Sequence, residues 1–290
     1  MGLYLAAPAV LVVAAVYVIP AVATLTFSVI RLNVAPLRIE RFVGPRHYVN
    51  AITSEAFWSV TLRTLYFGVM MVVFTLTVSF LIALLLNRSF RGRTFVLVTV
   101  LLPWAVPPVV SGVLWVQMFH AEFGFINGLV RALGGSGDIL WLGRPLLALH
   151  AVLVAETWRW IPFATLFLLA GLKTIPVTLR EAAAIDGASP WATFRHVTLP
   201  LLLPVVVPVV IFLFVWSMKV FDTIFVLTRG GPSGNTTTLN YRVFQQAFEQ
   251  FSFGSASATA YLLSLLTIVT IAGLSVMRRR AAQVAGRVLR

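Results

Sequence analysis

The chain has 290 residues, 59% of them hydrophobic and 11% charged, with a mean hydropathy of +0.94. A soluble domain of that length has too little interior to hide so much apolar surface, which excludes a water-soluble fold. The net charge of +13 would point to nucleic acid in a soluble chain, but here the arginines flank apolar runs, so lipid headgroups and topology account for them and no nucleic-acid partner is expected. There is no cysteine, so disulfides, thiol chemistry and cysteine-ligated metal are excluded.

A bilayer core takes about 20 apolar residues per helix. In chain order, spans are predicted at Leu3–Ile30, Val60–Leu86, Phe95–Phe119, Leu146–Leu172, Leu201–Leu227 and Ala256–Met277. The fold class is an all-α polytopic membrane protein of about six transmembrane helices, read as one transmembrane domain over residues 1–290. The first run opens on Met1-Gly-Leu-Tyr with no basic n-region and is far longer than a signal-peptide core, so it reads as a retained span. Arg63, near the outer end of the second span, is expected to snorkel to headgroups. The third span carries Pro103, Pro107 and Pro108, the fourth Pro162, the fifth Pro204 and Pro208. Each removes an intrahelical hydrogen bond. Such helices could bend around a cavity, or reflect only the frequency of proline in membrane helices.

An even number of spans puts both termini on one side. One set of loops carries Arg88, Arg91 and Arg93, then Lys173, Arg180 and Arg195, then the tail Arg278, Arg279, Arg280, Arg287 and Arg290. The other carries Arg31, Arg38, Arg41 and Arg46, then Arg131 and Arg144, then Arg229 and Arg242. The first set is larger and sits in shorter loops, which predicts cytoplasmic termini.

Residues 173–200 form a polar island between two spans. The stretch Glu181-Ala182-Ala183-Ala-Ile-Asp186-Gly187-Ala-Ser189-Pro190 predicts two short helices broken at Gly187, with Ser189 capping the second and Pro190 at its first position. A surface helix pair held between spans suits the docking of a soluble partner. Glu181 would pair with a basic or amide group, Ala182 and Ala183 keep the helix thin, and Gly187 permits the turn. Asp186 completes the candidate docking set.

This loop resembles a family signature: Glu-Ala-Ala, three residues, Gly187, nine residues, a β-branched aliphatic, one residue, then Leu199-Pro200. It marks the membrane subunits of binding-protein-dependent ABC importers, with Val197 here in place of the usual Ile. Leu102-Pro-Trp-Ala-Val-Pro-Pro108, Trp158-Arg-Trp-Ile-Pro162 and Phe221-Asp-Thr-Ile-Phe-Val-Leu-Thr-Arg-Gly-Gly-Pro232 resemble segments of the sugar-type branch, over about residues 60–277. The resemblance implies a type I importer permease in a bacterial or archaeal plasma (inner) membrane. It implies a heterodimer with a second permease, an ATPase dimer docked on the 173–200 loop, and an extracytoplasmic solute-binding protein. No cofactor is expected on this chain: it has no Gly-x-x-x-x-Gly-Lys-Ser/Thr loop, so ATP and Mg belong to the partner ATPase.

Charges inside spans are expensive and usually functional. Glu156 and Arg159 lie three apart in the fourth span, and Lys219 and Asp222 three apart in the fifth. These could cross-pair, Glu156 with Lys219 or Arg159 with Asp222, or contact a polar solute. The resemblance puts Glu156, Arg159, Trp160 and Phe163 on one wall of a solute path and Trp216, Ser217 and Lys219 on the other. Aromatic faces and charged groups fit a saccharide or polyol, with glycerol phosphate, an amino acid or another small polar solute as alternatives. A stand-alone secondary transporter would need an ion-coupling site and inverted repeats, neither of which is evident. The four histidines have no metal-like spacing, and no His-Glu-x-x-His or Gly-x-Ser-x-Gly motif occurs, so the chain is not expected to be an enzyme.

Overall fold

The computed structural model describes residues 2–34 and 37–288, with side chains over 7–32 and 41–275. Arg38 and the tail arginines Arg278, Arg279, Arg280, Arg287 and Arg290 lie outside the described side chains. The order is α1 (Gly2–Ser28), an antiparallel hairpin of β1 (Ile30–Val34) and β2 (Leu37–Phe42), α2 (Arg46–Ile52), α3 (Glu55–Leu86), α4 (Arg93–Ala105), α5 (Pro108–Met118), α6 (Phe125–Ala132) and α7 (Pro145–Thr174). There follow α8 (Val177–Ile185), α9 (Pro190–Thr193), α10 (Leu199–Met218), α11 (Asp222–Leu227), α12 (Leu239–Phe244) and α13 (Phe253–Val288).

Five of the described helical stretches are long and apolar enough to cross a bilayer, and the bent pair α4–α5 makes a sixth when counted as one. The apolar side chains of α1 from Val10 to Leu25 are largely exposed, a surface that water would penalise and lipid does not. The chain divides into two compact units, residues 1–62 with 238–266 and residues 63–237 with 267–290. In the first, Tyr48 Oη donates to Ser28 Oγ at 2.7 Å and Tyr261 Oη to the Ala21 carbonyl at 2.6 Å. His47 joins the hairpin to α13 there: Nε2 donates to the Ile30 carbonyl at 3.2 Å, leaving Nδ1 to accept from Ser255 at 3.3 Å.

The second unit carries the candidate sites. Its packing uses small residues for close helix approach, as membrane helices require when lipid is as apolar as leucine. Gly68 on α3 lies so close to α10 that a Cβ would sit 2.6 Å from Met218 Cε and 2.8 Å from Ser217 Oγ. Leu86, Leu168, Leu172 and Leu202 form an apolar cluster that ties the ends of α3, α7 and α10 together. Ser79 Oγ of α3 donates to the Ile161 carbonyl at 3.0 Å, a polar tie between α3 and α7.

Three expected elements differ. The third span is broken, with α4 and α5 meeting at 104°. A residue before proline is pushed into extended backbone, and two prolines in succession do this twice: ψ is 125° at Val106 and 143° at Pro107. The fifth span also breaks. α10 ends at Met218, and Phe221, at φ −140° and ψ −61°, leads into the separate helix α11. Lys219 and Asp222 therefore do not share a helical face. Finally, α9 is no isolated helix. It continues through a π-type turn at Phe194–Thr198 into α10, so residues 190–218 form one helical stretch.

Candidate functional site

The loop between α7 and α10 is built by local rules. α8 ends in a Schellman motif: Gly187, at φ +79°, donates to the Ala184 carbonyl at 3.1 Å, and Ala188 N–H donates to the Ala183 carbonyl at 2.9 Å. Nothing lies within 4 Å of where a Gly187 Cβ would be, so glycine is needed there for its backbone alone. Ser189 Oγ accepts from Ala192 N–H at 3.2 Å and caps the helix that begins at Pro190, as the sequence predicts. Glu181, Ala182 and Asp186 are exposed, and Ala183 is half-buried. The motif also presents two apolar knobs that the sequence reading did not single out: Ile185 is 86% exposed and Trp191 66%. Ile185 closes α8 two residues before Gly187 and is suited to an aliphatic anchor at a protein contact, whereas Trp191 stacks on Phe194 at 5.5 Å.

The second site lies where α7, α10 and α11 meet. Glu156 is only 4% exposed and accepts three hydrogen bonds. Its Oε2 takes Arg159 Nη2 at 3.3 Å and Trp160 Nε1 at 3.1 Å, and its Oε1 takes Thr223 Oγ1 from α11. Of the two readings of the charges, the pairing is therefore neither expected cross-pair: Glu156 is neutralised within its own helix, at the i, i+3 spacing that puts both on one face. Arg159 carries its guanidinium 5.6 Å from the Trp160 ring centroid, and its Nε is buried with no partner. Lys219 places its ammonium 5.7 Å from the Trp216 ring.

An aromatic wall joins these groups. Trp160 and Trp216 have ring centroids 5.0 Å apart, and Phe163 stacks on Phe212 at 4.4 Å, with Phe212 5.8 Å from Trp216. Trp104, Val106, Pro108, Arg159, Trp160 and Trp216 line an open pocket of about 200 Å³. The break that splits α4 from α5 thus supplies one side of it. Six of the predicted path residues fall in or beside this cluster: Glu156, Arg159, Trp160, Phe163, Trp216 and Lys219. Ser217 does not. It is fully buried, donates to the Phe214 carbonyl at 2.6 Å, and packs against Gly68 of α3, so it is a helix-packing residue. Trp104, Phe212 and Thr223 join the cluster without having been predicted. Trp104 lies within the Leu102–Pro108 motif, but nothing in the sequence links Thr223 to Glu156. Arg63 is also placed differently from the headgroup expectation: Nη1 donates to the carbonyls of Gly234 at 2.9 Å and Thr237 at 3.1 Å, clasping the loop after the Gly-Gly-Pro turn.

Chemically, the cluster offers flat aromatic faces, a buried unused guanidinium N–H and a carboxylate. Among the described residues, no group of histidines and carboxylates could hold a metal.

Residues 75–282 match the family profile of the binding-protein-dependent transport system inner membrane component. The trehalose/maltose transport system permease protein MalF of Thermococcus litoralis is 36% identical over 277 residues, covering 96% of this chain and 92% of that protein. The sulfoquinovosyl glycerol transport system permease protein SmoG of Agrobacterium fabrum is 31% identical, covering 97% and 91%. The sn-glycerol-3-phosphate transport system permease protein UgpA of Yersinia pestis is 33% identical, covering 94% and 90%. The fold superposes on a chain of a bacterial ABC transporter that imports the acidic polysaccharide alginate, with a TM-score of 0.82 at 20% identity over 96% of this chain and 95% of that one.

Proposed function

Because the chain belongs to the family of binding-protein-dependent transport system inner membrane components, we propose that it is the membrane-spanning subunit of an ATP-driven importer and forms the translocation path for a sugar or related polyol. The observation that carries the solute class is the aromatic wall around Trp160 and Trp216 with Arg159 and Glu156 beside it. Aromatic faces stack on the C–H surfaces of a sugar, and the charged groups hydrogen-bond its hydroxyls. The names of the MalF and SmoG relatives support the same class. The unpartnered Nε of Arg159 favours a second reading, a polyol bearing an anionic group, in keeping with the UgpA relative.

In this reading the chain pairs with a second permease, and an extracytoplasmic binding protein delivers the solute. An ATPase dimer holds ATP and Mg and docks on residues 173–200 through Glu181, Ala182, Ala183, Asp186 and Gly187. Closure of that dimer draws the docked loops together and rocks the helices to open the path outward. This chain carries the path and hydrolyses nothing itself.

Trp216→Ala tests the path. Trp216 is 40% exposed, so its loss disturbs packing less than loss of the buried Trp160. Removing one good contact should cost about 1–3 kcal/mol, roughly 5- to 150-fold in apparent affinity for transport. Uptake should fall while assembly and binding-protein-stimulated ATPase activity persist. Unchanged uptake kinetics would remove the aromatic wall from the path.

The arginine distribution favours cytoplasmic termini. Ser89 and Ser233 are both exposed, and the chain has no other cysteine to confuse labelling. An impermeant thiol reagent applied to intact cells should label Ser233→Cys and not Ser89→Cys. The reverse pattern would invert the topology.

A further inference from the structure

A cleft of about 780 Å³ runs along the last three turns of α3, facing α9 and the π-type turn. Its wall is apolar: Leu76, Phe80, Leu81 and Leu84 on α3, with Trp191 and Phe194 opposite. Phe80 meets Phe194 edge-on at 5.7 Å, and Trp191 stacks on Phe194 at 5.5 Å. At the end of α3 the cleft runs into a second one of about 280 Å³, with which it shares Asn87, Arg88 and Arg180. Arg93 and Lys173 also line that second cleft, so four cations surround it, and no carboxylate lines either. Arg93 is held in place by donation from Nε to the Leu86 carbonyl at 2.8 Å. Arg180 Nε is buried with no hydrogen-bond partner.

An apolar channel that opens into a ring of cations, at the level where a membrane span gives way to arginines, matches one chemistry. We propose that this groove binds an anionic phospholipid, with an acyl chain along α3 and the phosphate at Arg88 and Arg180. Charge complementarity selects this occupant. A buried guanidinium N–H without an acceptor is costly until a phosphate oxygen supplies one. The volume is that of an ordinary small-molecule site, about 300–1,000 Å³. The groove also lies directly behind Ala184, Ala188 and Pro190 of the docking loop, so a bound lipid would brace that loop from the membrane side. The site is separate from the aromatic cluster and does not depend on the identity of the solute.

The complex purified with this chain, placed in vesicles of phosphatidylcholine with or without phosphatidylglycerol, provides the test. After detergent extraction, native mass spectrometry counts the lipids retained. Phosphatidylglycerol should be retained in preference to phosphatidylcholine. Arg88→Gln and Arg180→Gln should each weaken its retention about fivefold, the value of one basic side chain near an anionic headgroup. Leu81→Trp, at a side chain 65% exposed and outside the packed core, should block the acyl chain with the arginines intact. Arg144→Gln, at the opposite end of α7, should leave retention unchanged. Equal retention of the two lipids would overturn the proposal. So would displacement by inorganic phosphate, which would make it a simple anion site, or retention that appears only after the ATPase is stripped from the complex, which would make the groove a protein contact.

Discussion

Replacing Gly187 with proline is expected to abolish uptake while leaving the chain inserted in the membrane. Proline holds φ near −65°, and the native value is +79°. It also deletes the N–H that donates to the Ala184 carbonyl, and the redirected backbone takes Ala188 away from the Ala183 carbonyl. The Schellman motif is lost, and α8 no longer meets α9 at the same angle. Because the Cβ position is empty, Gly187→Ala meets only the left-handed backbone strain, about 1–2 kcal/mol, and should retain part of its activity. Glu181→Lys leaves the fold alone and reverses one exposed charge. It should weaken co-purification of the ATPase by on the order of tenfold, about 1.4 kcal/mol. Solute uptake by cells, membrane yield and ATPase pull-down together separate these outcomes. Normal uptake with Gly187→Pro would remove the loop from coupling.

The docking loop was legible because its rules are local. A glycine after an alanine-rich turn, then Ser-Pro, specifies a helix end and a helix start with no help from the rest of the chain. The break at Val106–Pro107 is written in two consecutive prolines, although their presence in a long apolar run hides it from any count of hydrophobic residues. The hairpin at Ile30–Phe42 has a signal too, in the alternation of Leu37-Arg-Ile-Glu40, although its arginines equally fit a loop at the membrane surface. By contrast, the rotation of α10 could not be read. From Leu199 to Met218 it is apolar on every side, so periodicity marks no face, and Ser217 was assigned to the cavity when it packs on α3. The end of α10 at Met218 has neither glycine nor proline to announce it. The Glu156–Thr223 hydrogen bond joins residues 67 apart, and only the packing of α11 brings them together.

That three-donor arrangement makes Glu156 costly to replace. Glu156→Leu is expected to cost about 3–5 kcal/mol, because it strands the Arg159 guanidinium, whose side chain is 15% exposed, without its carboxylate. Trp160 Nε1 and Thr223 Oγ1 lose their acceptor at the same time. The complex should be recovered in low yield and melt at a lower temperature. Thr223→Val removes one neutral donor and should cost only about 1 kcal/mol. The informative variant is the double one, Glu156→Leu with Arg159→Leu. Removing both members of a buried pair takes away the stranded charge and leaves only the neutral donors of Trp160 and Thr223 without an acceptor, so yield and melting temperature should recover in part and exceed those of Glu156→Leu alone. Uptake should not return if Arg159 and Glu156 hydrogen-bond the solute, since the aromatic slot then lacks the guanidinium and carboxylate that fix its hydroxyls. Recovery of uptake together with stability would make the pair a packing device for α7 and α11, and would leave Trp160, Trp216 and Lys219 to define the path. Wild-type yield from the single variant Glu156→Leu would show instead that the guanidinium finds another acceptor, and the pairing geometry itself would then be wrong.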